Sequence, residues 1–126
     1  MSARCRISAA RSGVSMNVVV IRGVVLNAPV ERVLGSGEYA TSFDVVTESD
    51  EGRLTVPVNW VTTVKTLLQE GEDVMVSGSV RRRFYRAGGS VQSRTEVLAK
   101  QVLNMRRKVA VKKSLTEIQK ELTHNW

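Results

Sequence analysis

Residues 73–105 read DVMVSGSVRRRFYRAGGSVQSRTEVLAKQVLNM. Two long runs rich in strand formers, Asp73 to Arg86 and Val91 to Met105, flank Ala87-Gly88-Gly89-Ser90. A Gly-Gly pair supplies the positive φ that a two-residue hairpin loop requires, so this stretch predicts one long two-strand hairpin. Strand alternation puts Val76, Gly78 and Val80 on one face and Arg81, Arg83 and Tyr85 on the other. A row of guanidinium groups ending in an aromatic ring suits a single nucleic-acid strand. Cations follow the phosphates while the ring stacks on a base, at about 1–3 kcal/mol per stacked base.

Upstream of the hairpin, the sequence predicts three further strands. Val18 to Leu26 (VVVIRGVVL) is β-branched and nearly continuous, with a kink expected at Gly23. Pro29 then interrupts pairing, and Gly35-Ser36-Gly37 marks a turn. Tyr39 to Thr47 forms the second strand, the acidic turn Glu48 to Gly52 follows, and Leu54 to Trp60 forms the third. Thr62 to Gln69 places Val64, Leu67 and Leu68 at helical spacing, with Gly71 closing a short helix. Three strands, one helix and a two-strand hairpin give the order of an all-β OB-fold. That fold is a five-stranded Greek-key barrel, here with one short helix between strands three and four.

The flanks differ in character. Residues 1–15 are Arg- and Ser-rich, acid-free and aperiodic, which resembles an organellar transit peptide; the favoured reading is a disordered N-terminal extension, or residues upstream of a true start at Met16. Residues 16–105 form the expected OB-fold domain. Residues 106–126 form a basic C-terminal tail, in which Ser114-Leu115-Thr116-Glu117 has the form of a capping box opening a short amphipathic helix.

Charge separates sharply along the chain. Between residues 76 and 113 eleven bases face Glu96 alone, giving +10, whereas residues 30–75 carry nine acids and three bases, giving −6. The whole chain of 126 residues stands at +7, which asks for a polyanionic partner, nucleic acid first and an anionic membrane second. Three consecutive arginines repel one another, and an anion would relieve that repulsion. No apolar run approaches the roughly 18 residues of a membrane span, so the chain is expected to be soluble. One cysteine, Cys5, and one histidine, His124, leave no internal disulfide and no cysteine-based zinc site. Glu48, Asp50 and Glu51 share one turn without further ligands, and Gly35-Ser36-Gly37 lacks the lysine and helix of a phosphate loop. No catalytic activity, metal or cofactor is expected.

The candidate nucleic-acid-binding residues are Arg22, Trp60, Arg81, Arg83, Tyr85, Arg86 and Arg94. Arg22 interrupts an apolar strand, so it reaches either the groove or a subunit surface. Trp60 ends the third strand, where it either stacks on a base or packs in the core. Phe43 shares a face with Val45 and belongs to the core; Phe84 has the parity opposite to Tyr85 and is expected to pack.

The order and spacing of several short pieces resemble the bacterial single-stranded DNA-binding protein family. They are Asn17-Val18-Val19-Val20-Ile21-Arg22-Gly23, Pro29 with Arg32, Gly37, Phe43, Thr47, Glu70-Gly71, Gly78-Ser79-Val80-Arg81 and Thr95-Glu96-Val97. The resemblance implies an OB barrel assembled as a homotetramer that wraps single-stranded DNA in replication, repair or recombination. It also implies a bacterial cytoplasmic, nucleoid-associated location and stacking roles for Trp60 and Tyr85. Stacking tryptophans of many members would fall at Leu54 and near Val46 or Thr47, so two platforms are absent. The chain ends Lys120-Glu121-Leu122-Thr123-His124-Asn125-Trp126 and not in an acidic Pro-Phe tip. It therefore looks like an auxiliary paralogue, for which recruitment of replication enzymes through that tip is not expected. An RNA-binding or translation-associated OB protein is the alternative, because the groove physics is nearly the same. An oligomeric scaffold with a basic tail for a protein partner is a third.

Overall fold

The computed structural model of the chain describes residues 15–124; the expected disordered extension falls, but for Ser15, outside the described residues. Six strands and one helix follow in order. They are β1 (Val19–Val25), β2 (Val30–Val33), β3 (Tyr39–Ser49), β4 (Gly52–Thr62), β5 (Asp73–Ala87), β6 (Ser90–Asn104) and α1 (Lys108–His124).

Five of the strands close on themselves. β1 pairs with β5, β5 with β6, β6 with β4, β4 with β3, and β3 returns to β1. Every pairing in this ring is antiparallel except β4–β6, which is parallel. The result is barrel-like. β1 serves two neighbours by bending at Gly23: Val19 to Val24 pair with β5, whereas Val24 and Val25 pair with Val46 and Val45 of β3. A Cβ on Gly23 would stand 2.3 Å from the Val46 carbonyl oxygen and 2.6 Å from Val45 Cγ1. Only a residue without a side chain allows that approach.

Alternation sorts the strands into an inner and an outer face. Val25, Phe43, Val45, Val58, Val74, Val76, Val97 and Ala99 interlock inside, and Phe43 is buried there as the sequence indicates. On the outer face Met75 and Leu103 pack with Val111 of α1, with Met105 and Ala110 at the margin. The helix thus lies against the outside of the β5–β6 ribbon.

Three expectations are corrected. Val30–Val33 is a sixth strand, paired with Tyr39 to Ser42 of β3; four residues after a proline are too few to show alternation. Thr62 to Gln69 is not helical. Thr62 Oγ1 donates to the Val64 carbonyl at 2.7 Å, a local bond that competes with the first helical turn. Of the apolar trio, Leu68 packs on the core while Leu67 is 86% exposed. The tail helix begins at Lys108, not at Ser114. Ser114 is buried within α1 and donates to Gln101 Oε1 of β6 at 2.7 Å, docking the helix instead of capping it. No helix among the described residues is long and apolar enough to cross a membrane.

Candidate nucleic-acid interface

The hairpin turn forms as the glycines dictate. Gly88 and Gly89 take φ of 60° and 83°, and Ala87 pairs with Ser90, the geometry of a tight hairpin with two left-handed central residues. Val97, opposite Val80, is the last residue of the ribbon in the inner cluster, while Val80 itself is already 45% exposed. Beyond them seven residues of β5 continue outward, and Glu96, opposite Arg81, is the one described residue of the ribbon still buried there.

Arg81, Arg83 and Tyr85 do share a face, opposite Glu96, Arg94 and Gln92 of β6. That face is not a row of free cations. Glu96 is only 5% exposed, and its Oε2 accepts from Arg81 Nη2 and, at 3.2 Å, from Arg81 Nε. Arg83 Nε lies 4.0 Å from Glu96 Oε1, and Arg94 Nη2 lies 3.7 Å from Asp44 Oδ1 on β3. The one acid of the basic segment sits among its arginines and relieves their repulsion internally. Arg22 is likewise engaged: its guanidinium grips Asp73 of β5 through Nη2 at 2.9 Å and Nε at 3.3 Å. The hydrogen bond, and then the charge of Asp73, hold the Arg22 pKa above its already high range.

The opposite face of the ribbon carries Arg86, a candidate from the sequence, with two residues outside the candidate set, Arg82 and Phe84. Arg82, Phe84 and Arg86 alternate there, with the Arg82 guanidinium carbon 5.9 Å from the centre of the Phe84 ring. Phe84 was expected to pack but is 66% exposed, more than Tyr85 at 40%. Parity predicts burial only while a barrel backs the strand, and Phe84 lies past that limit. The count of residues beyond Val80 was the available signal. Among the described residues Arg82 and Arg86 carry no ion pair.

Trp60 shares the parity of the Phe84 row but sits in the barrel wall, nine β5 positions short of the hairpin tip. It pairs with Thr41 and Ala99 and, half-buried, packs against the inner cluster after Val56 and Val58. Ala99 pairs with Gly78, so Trp60 shares the inner parity of Gly78 and not the face of Tyr85. The structure does not bring Trp60 and Tyr85 onto one surface. It gathers Phe84, Tyr85, Arg82 and Arg86 around the tip of one ribbon, with Arg81, Arg83 and Arg94 braced behind them. No protein-family model matches the chain, and no curated protein matches it.

Proposed function

We propose that this chain is an OB-fold protein that binds single-stranded DNA without sequence preference, by base stacking and phosphate contact, and protects it during replication, repair or recombination. The observation that carries the reading is the distal β5–β6 ribbon: two exposed rings, Phe84 and Tyr85, beside two cations, Arg82 and Arg86, that have no acidic partner among the described residues. Rings offer a π-face to any base and guanidinium groups a charge to any phosphate, which favours tolerance over sequence readout. A five-strand ring with one parallel junction between its third and last members agrees with the OB arrangement, β2 being an addition to it. Self-association, as a homotetramer, fits β1. Its outward residues Val20 and Val24, and Val18 just before it, are exposed, and its edge from Val19 to Gly23 away from β5 carries no strand among the described residues.

The test is a titration of the full chain with matched oligo-dT and oligo-U across a salt series, beside a solution mass measurement. DNA binding should weaken linearly on a log–log salt plot, by about 0.7 per phosphate contacted. Phe84→Ala and Tyr85→Ala should each weaken binding by about 1–3 kcal/mol with the melting temperature nearly unchanged. Trp60→Ala should instead lower stability, by less than the ~3–5 kcal/mol of a fully buried ring. Tighter binding of oligo-U would favour the RNA reading, and no binding of either would leave the scaffold.

A further inference from the structure

Most arginines of the β5–β6 ribbon are held by acids, Arg82 and Arg86 excepted, and the larger group of unpaired cations among the described residues lies elsewhere. Arg106, Arg107, Lys108, Lys112 and Lys113 follow one another at the start of α1. All five are exposed, and none forms an ion pair among the described residues. No acid occurs between Val97 and Thr116. The backbone fixes the place of this cluster. Met105 N–H donates to the Asp73 carbonyl at 2.9 Å, and Arg106 N–H to Asn104 Oδ1 at 2.8 Å. Val111 and Ser114 then clamp the helix on β5 and β6, which turns Lys112 and Lys113 outward on the adjoining positions.

We propose that this cluster is a second phosphate-binding patch, occupied by a distal stretch of the same single strand that stacks on the hairpin tip; the proposal rests on the function proposed above. Asn104 pairs opposite Val74, whereas the turn closes at Ala87, so the two patches stand about 40 Å apart along the ribbon at ~3.3 Å per residue. A strand of roughly 6 nucleotides reaches one patch only. One of roughly 30 nucleotides, at 3.4 Å or more each, spans both. The tip supplies rings and few free cations; the helix supplies cations and no ring. Stacking therefore anchors the strand at the tip, and charge holds it at α1.

The experiment compares the full chain with the variant Arg106→Gln/Arg107→Gln/Lys112→Gln/Lys113→Gln, using oligo-dT of both lengths. Long-strand affinity should fall at least about tenfold at low salt, and the salt slope should become shallower by roughly 2–3, at ~0.7 per lost contact. Short-strand affinity should stay within about twofold, because stacking at the tip is intact. The milder variant Lys112→Gln/Lys113→Gln, at two exposed helical positions, should show about half the slope change and guards against a folding defect in the larger one. Unchanged long-strand affinity and slope in both variants would overturn the proposal while leaving the hairpin reading standing. Loss of poly-glutamate binding without loss of oligo-dT binding would overturn it in favour of an acidic protein partner. Failure of the unaltered chain to bind either length would remove the function itself, and this patch with it.

Discussion

Glu96 shows how one side chain sets what its neighbours are free to do. Its carboxylate is buried, and the guanidinium groups around it are about 40% exposed, so each arginine is divided between an internal acid and the solvent. Glu96→Gln keeps the shape and removes the charge. The variant should lose about 1–3 kcal/mol of stability, the cost of weakening a charged, partly buried hydrogen-bonded pair. It should also bind single strands with a salt slope steeper by up to about 0.7 for each arginine released. Chemical denaturation and a salt titration on the same sample check both halves. The sequence showed Glu96 as the single acid in a basic run, yet composition assigns no partner. The register Arg81↔Glu96 depends on the turn at Gly88-Gly89, and only that pairing turns a lone acid into a brace. Phe84 was misjudged for a related reason: alternation states which residues share a face, and burial needs to know where the barrel stops.

At the scale of elements, legibility followed hydrogen-bonding range. The hairpin was readable because its turn chemistry is local, and β1 was readable from its β-branched run with a glycine inside it. Gly23→Ala tests the second reading. A methyl group 2.3 Å from the Val46 carbonyl oxygen must push β1 off either β3 or β5, and overpacking of this kind costs about 1–3 kcal/mol. A thermal melt should register that loss, whereas Gly35→Ala, with open space around its Cβ position, should change stability little. The connector from Thr62 to Gln69 and the start of α1 were misread because their cues were side chains with two uses. Thr62 bonds the backbone beside it and stops a helix before it begins. Ser114 looked like a cap and is a tether, reaching Gln101 across an interface that no local pattern encodes.

For the whole molecule, the order of strands along the chain sufficed to expect a closed β structure. What the sequence left out were β2 on the rim and the docking of α1, expected as a shorter tail helix, along the outer face. Both are short-range in sequence but owe their stability to neighbours already in place: β2 to the edge of β3, and α1 to Met75 and Leu103. Their outcome is a molecule with distinct ends. One end of the β5–β6 ribbon carries rings, the other carries uncompensated lysine and arginine, and the acidic turn between β3 and β4 belongs to neither.

The ring's two closing seams have a kinetic meaning. β5–β6 and β3–β4 are hairpins, each joined by a tight turn, and form from residues close in the chain. β1–β5 and the parallel β4–β6 seam join residues roughly forty to sixty positions apart, and loop-closure entropy is spent before those contacts reward it. Refolding followed by intrinsic fluorescence should therefore occupy milliseconds to seconds, not microseconds. During synthesis β1 leaves the ribosome first and waits for its principal partner. At ~5–20 residues per second that wait lasts seconds, during which the valine-rich first strand has no barrel to enter.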